Sequence, residues 1–375
     1  MKVAEEGGGG AGGAGTLSAA ITRTRQAHDA AQQQQQVPHG GGAQASVGSS
    51  GSGLIIDQQP SVSSVNDARK SRLAQLEAEQ AKLKEEQLMA VDAGCWQDMA
   101  EHGLFQKAED LLTSAADLEE KRHGQTERFG TLMHALGALY DFRSNTDVTG
   151  QQQMLSNKSA RFALRAVQVL RALLQDEAQE TSEKNTRLSE QLAKSLLTRG
   201  KSLCNFALEW GEMMDMPAEQ AFDEAEKDVR DAVSIRETLR HDQLGEAVMA
   251  VGYVFYCRAC RVLQSPDPES VVGQIDFMEQ NYATALEYYK KSWQMYCERV
   301  GNDHADAIRM RSNMALVYNV MSRMPCEKRK VYIEEAEKQY REVLQIQEKL
   351  FGKRHRRTQR LQMDLDNILE RKAEM

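Results

Sequence analysis

Proline is scarce in this sequence, with 6 among 375 residues, and runs of Val, Ile and Thr in strand-like alternation are hard to find. Both shortages favour helices over sheets, because strand character depends on that alternation and helices tolerate proline poorly. No apolar run approaches the roughly 20 residues that a membrane-spanning helix needs. This excludes membrane insertion by such a helix. A cationic excess is also missing. The formal net charge of −8 argues against nucleic acid as the main ligand, since a phosphate-binding surface needs positive charge; a local basic patch remains compatible with that total. The 6 cysteines are spread singly or in one pair through helical segments, which fits reduced thiols and not a disulfide frame. Met1-Lys-Val-Ala-Glu-Glu-Gly7 leads into glycines where a signal peptide would carry its apolar core. A cytoplasmic location is therefore expected.

What the chain does contain is one pattern written twice. Ala285, Tyr289, Gly301 and His304 reappear 51 positions later as Ala336, Tyr340, Gly352 and His355. Self-similarity at such a period means stacked helix pairs. Within each copy a small Ala allows close helix crossing and an aromatic follows one turn on. Glycine then ends the helix in a left-handed cap, and His opens the next, which in one copy carries Asn313-Met-Ala-Leu-Val-Tyr318. Earlier in the chain Ala108, Leu112 and Gly124 hold the same register, and Ala135 to Tyr140 matches Asn313 to Tyr318. A weaker copy aligns Ala163, Val167, Leu170 and Leu173 with Ala225, Val229, Ala232 and Ile235.

These residues resemble the tetratricopeptide repeat, and more narrowly the long variant of kinesin light chains. In that variant a helix with Ala and Tyr ends in a Gly-x-x-His-Pro-x-Thr turn, and the next carries Asn-Leu-Ala-x-x-Tyr. Ala305 and Arg356 stand where the family has Pro, and residues 322–330 lengthen the period. The resemblance implies an all-α, right-handed superhelical solenoid of about five helix pairs. It also implies partners that are other proteins, motor or cytoskeletal components among them, and a cytoskeletal association.

Residues 1–65 are rich in Gly, Ala, Gln and Ser and carry too few large apolar side chains to offset chain entropy, so a disordered tail is expected. Residues 66–87 read as a charged lead-in helix or short coiled coil, 88–351 as the repeat domain, and 352–375 as a capping helix. Polar loops are expected over 143–158 and around Pro266 and Pro268, and the first member of the third pair over 188–210.

No catalytic set, cofactor or metal site emerges. Cys257-Arg-Ala-Cys260 lacks both the preceding strand of a redox motif and the second ligand pair of a zinc site, so it reads as two packed thiols. Gly200-Lys201-Ser202 echoes a phosphate loop, but the required earlier Gly is Ser195, and the segment reads as continuous helix. His123, His241, His304 and His355 read as turn and capping residues. Lys201 with Asn205 and Arg309 with Asn313 share a basic-x-x-x-Asn step on two first helices. By the family resemblance these four would face a groove that holds a partner peptide or helix. A non-catalytic adaptor is the expected function, the alternative being a structural subunit of a cytoskeletal or motor-associated complex docking through the lead-in helix. The sequence leaves the oligomeric state open.

Overall fold

The computed structural model describes residues 95–147, 149–176, 182–208, 216–265 and 267–375. The expected tail, the lead-in helix and the start of the repeat domain lie outside the described residues. Those described form twelve helices and no strand. In order they are α1 (Cys95–Glu101), α2 (Phe105–His123), α3 (Glu127–Thr146), α4 (Gln152–Asp176), α5 (Ser182–Leu208) and α6 (Ala218–Thr238). They continue as α7 (Leu244–Leu263), α8 (Pro268–Gly273), α9 (Ile275–Val300), α10 (Ala305–Met321), α11 (Arg329–Phe351) and α12 (Arg356–Ala373).

Helix termini follow from local chemistry. Gly124, Gly301 and Gly352 follow α2, α9 and α11 with φ of 77°, 90° and 80°, a region that only glycine enters without strain. The next helix is then capped by a side chain. Thr126 accepts from the Phe129 amide, while His304 and His355 accept through Nδ1 from the Asp306 and Arg357 amides. His241 does the same for the Gln243 amide. The fourth expected turn residue, His123, closes α2.

Two expected loops are shorter than the sequence suggests. Most of 143–158 is helical, because Asp147 accepts from the amides of Thr149 and Gln151 and so completes the turn within a few residues. Ser144 on α3 and Ser156 on α4 then share a buried hydrogen bond of 2.7 Å. Pro268 likewise opens the short helix α8, with Asp267 accepting from the Glu269 amide.

Four pairs are complete among the described residues: α3/α4, α5/α6, α7/α9 and α10/α11, with α2 packed on α3 and α12 on α11. Each pair closes on a small residue. A Cβ placed on Gly137 would lie 3.3 Å from the Ser159 carbonyl oxygen, one on Gly200 3.2 Å from that of Ala225, and one on Gly252 3.0 Å from that of Ala285. In the fourth pair Ala315 and Ala336 share a core with Tyr340, Val343 and Leu365.

The pairs stack as two layers of unequal spacing. Helices α3, α5, α7 and α10 touch one another in succession. Helices α2, α4, α6, α9 and α11 stand further apart, and long side chains bridge them: Arg165 to Glu120 at 2.6 Å, Arg171 to Asp231 at 2.8 Å, and Tyr332 to Glu279 at 2.8 Å. Such a stack curves toward its crowded layer, which becomes the inner one.

Gly252→Ala tests the close approach. In an ordinary helix this change stabilises by about 1 kcal/mol, but here the new methyl meets the Tyr289 ring at 2.9 Å and a backbone oxygen. The expected outcome is a net loss of roughly 1–3 kcal/mol by denaturant titration, with a similar loss for Ala285→Leu. A gain in stability for Gly252→Ala would mean that α7 and α9 cross elsewhere.

Candidate functional site

The inner layer carries polar side chains in rows, because its apolar positions point back toward the paired helices. Thr131 on α3 donates to Gln191 on α5 at 2.6 Å. Tyr253 on α7 donates to Oδ1 of Asn205 on α5, also at 2.6 Å. Positions one or two turns apart on a helix share a face, so Asn205 and Tyr253 form a strip with Lys201 and Glu246 below, while Thr131 and Gln191 meet nearly three turns further along the same layer.

The strip is an alternating ladder of charge. Lys201 on α5 lies 3.4 Å from Glu246 on α7, which also receives a hydrogen bond of 3.1 Å from Arg236. Arg236 is 1% exposed and donates to the Gln243 carbonyl oxygen at 2.7 Å, so it reaches Glu246 from within the protein. Lys201 is the main influence on Glu246, acting against burial. Arg236 and then Arg309 on α10 add to it, and the carboxyl pKa falls to about 2. Burial pushes Asp141 on α3 up to about 6, with Lys201 opposing. Burial lowers His134 to about 4, aided by Lys194. Asp141, Lys201, Glu246 and Arg309 thus alternate in sign across four successive inner helices.

Sequence comparisons fall on the second helices and the turns after them. The family description "Tetratricopeptide repeat" matches residues 273–306 and 333–357, which hold α9 and most of α11 with their glycine and histidine turns. The chain carries tetratricopeptide repeats. No curated protein matches it in sequence. One similar solved structure is a crystal structure of nearly identical TPR-like repeats described as a kinesin light chain, from Podosopora anserina. It is 12% identical, with a TM-score of 0.42, over 70% of this chain and 97% of the other.

The repeat residues read from sequence take consistent places. Ala108, Leu112, Ala225, Ala285 and Ala336 are fully buried, and Tyr140, Tyr289 and Tyr340 nearly so. Tyr140 donates to Glu109 at 2.5 Å, Tyr340 accepts from Asn319 at 3.1 Å, and Tyr318 packs at the edge of the last core.

Of the four expected groove residues, Lys201 and Asn205 lie on α5, and Arg309 and Asn313 on α10, with α7 between. Lys201 is one residue past the close-approach Gly200, whereas Arg309 is six before its counterpart Ala315. Their registers differ, yet α5 on one side of α7 and α10 on the other bring both cations toward Glu246. Both are occupied: Lys201 by Glu246, and Arg309 by Asp306 at 3.0 Å. Asn313 is 9% exposed, and its amide makes no hydrogen bond among the described residues. Asn205 accepts from Tyr253 and makes no second side-chain bond among them.

Sequence reasoning passed over Glu246, Asp141 and Tyr253 as ligands of this strip. The signal for them was opposite charge on neighbouring first helices, visible only once the stagger is known. Cys257 and Cys260 sit mid-helix in α7 and are fully buried or nearly so; burial raises both thiols, Cys260 to about 11. Gly200 serves as a crossing point within α5. Among the described residues no group of three or more metal-ligating side chains occurs, and no helix is long and apolar enough to cross a membrane. The arrangement sets amides with unused bonding capacity beside charges that are already paired.

The ladder predicts a pH signature for Glu246→Gln. The folded carboxyl titrates near 2 and the unfolded one near 4.5, so its stabilisation is complete above pH 4.5 and is lost as pH falls toward 2. The variant should therefore melt below wild type at pH 7, by about 1–3 kcal/mol for a partly buried pair. The gap should close between pH 4.5 and 2. A gap that stays constant over that range would rule out an ionic role for Glu246.

Proposed function

We propose that the repeats form a non-catalytic adaptor whose inner layer, along α5, α7 and α10, holds a peptide or helix of another protein. The observation that carries this reading is the pair of amides at Asn205 and Asn313. Each belongs to the inner strip and has bonding capacity left over after the internal contacts are made. An Asn amide presents both a donor and an acceptor, which matches the two groups of a peptide backbone. Nearby charge is largely consumed, because Lys201 already faces Glu246 and Arg309 faces Asp306. A ligand carboxylate must compete with those partners, so backbone contacts supply more of the recognition than charge does.

The motor and cytoskeletal proteins implied by the sequence resemblance are the first partners to test. Proximity labelling with the full chain and with an Asn205→Leu, Asn313→Leu double variant provides the experiment. Leucine keeps the volume and removes the amide; Asn313 gives up no internal bond, whereas Asn205 gives up the one from Tyr253, a loss of about 1–3 kcal/mol. The double variant should lose the partner set while its melting temperature stays within a few degrees of wild type. An unchanged partner set in a folded double variant would move the binding surface away from this strip.

A further inference from the structure

The turn between α11 and α12 differs from its own precedent in the chain. From Lys349 to Arg360 it holds six Lys and Arg (349, 353, 354, 356, 357 and 360) and no Asp or Glu, in a protein whose formal net charge is −8. Every residue from 349 to 357 except Gly352 is exposed. Lys353 only grazes Glu348, at 4.0 Å, and Arg360 pairs with Asp364 at 3.8 Å. The side chains of Lys349, Arg354, Arg356 and Arg357 form no ion pair among the described residues. Elsewhere in the stack arginines such as Arg199, Arg258 and Arg311 are held by carboxylates.

The preceding turn shows that the backbone does not need these cations. Gly301-Asn302-Asp303-His304-Ala305-Asp306 has the same positive-φ glycine and the same histidine cap, at one-to-one positions with Gly352-Lys353-Arg354-His355-Arg356-Arg357. Asp306 suits the positive end of α10, whereas Arg356 and Arg357 oppose the positive end of α12. Four neutral or acidic positions have thus become basic without any change in the turn. Beside them Leu350 and Phe351 are 46% and 42% exposed, and the Phe351 ring stacks on His355 at 4.9 Å.

We propose that this turn docks the protein peripherally on an anionic phospholipid bilayer, with the cations on the headgroups and Leu350 and Phe351 entering the interface. Clusters of four to eight Lys and Arg beside exposed apolar side chains combine the two forces that hold proteins at such surfaces. A lipid plane meets only the turn, and charges beyond a Debye length of about 8 Å are screened. A nucleic acid strand would run past the six cations along a chain whose remaining formal charge is −14, from −8 less six. An acidic peptide would leave Leu350 and Phe351 without a role.

Sedimentation of the full chain with vesicles tests this, comparing pure phosphatidylcholine with vesicles holding about 30 mol % phosphatidylserine. The variant is the transplant of the preceding turn: Lys353→Asn, Arg354→Asp, Arg356→Ala and Arg357→Asp. It should fold as wild type because the chain already builds that turn from those residues. Each lost cation should weaken partitioning about fivefold, so the transplant should lose at least a hundredfold. Phe351→Ser should weaken binding while leaving its salt dependence unchanged. Wild type that ignores phosphatidylserine vesicles, or a transplant that binds them equally, overturns the proposal. Preferential capture of a single-stranded oligonucleotide or of polyglutamate over the vesicles overturns it as well.

Discussion

A Cβ on Gly252 would stand 3.0 Å from the carbonyl oxygen of Ala285, and that distance governs how near the two helices of a pair can lie. The same limit recurs at Gly137 and Gly200, and in the Ala315 and Ala336 core. Close approach within a pair lets side chains of ordinary size fill the space between pairs. It also leaves the stack asymmetric, with α3, α5, α7 and α10 touching in succession while the other layer is joined by long side chains. The polar strip exists because of that crowding. Groups such as Lys201 and Glu246, 45 residues apart in sequence, meet only because their helices are packed this tightly.

Crossing residues were legible in the sequence because packing tolerates almost nothing larger there. Ala285 and Ala336 therefore stand out at a fixed spacing, as do the glycines whose positive φ excludes other residues. Gly200 carried the same message, but the neighbouring Lys and Ser drew attention to a phosphate loop instead. The strip was much less legible. Lys201 and Arg309 are expected from sequence to face a groove, but their internal partners are not, since a helix-by-helix reading shows which face a side chain takes and not how far one helix slides past the next. Stagger is a property of the assembled pairs, and no local periodicity encodes it.

Charge within the strip has consequences for a ligand. A ladder in which Asp141, Lys201, Glu246 and Arg309 alternate in sign presents little net field, so long-range steering of a charged partner is weak. Under the proposed function, recognition would fall instead to groups with unused bonding capacity, the amides of Asn205 and Asn313. The buried Arg236 behind Glu246 fixes that carboxylate in place, because an arginine with 1% exposure cannot lose its partner cheaply. The strip is thereby pre-organised, so that a ligand bound as proposed would find few of its side chains left to order.

The longer period of the last repeat also has a physical account. Residues 322–330 are not a slack insertion: Ser322 and Met324 are fully buried, and Ser322 donates to the Asn319 carbonyl oxygen at 2.6 Å. Arg371 on α12 reaches across to the Ser322 hydroxyl at 2.8 Å and to the Asn319 amide oxygen. Burial lowers this guanidinium to about 10, with Arg323 adding to the shift. Asn319 in turn donates to Tyr340, so the insertion, α10, α11 and α12 are tied through one residue. Anchorage at the far end of α12 holds that helix on α11 through Leu361, Leu365 and Ile368. Its first turn is then held in place despite two arginines at the wrong end of the helix dipole. Stability supplied at one end of α12 is what permits an unfavourable concentration of charge at the other.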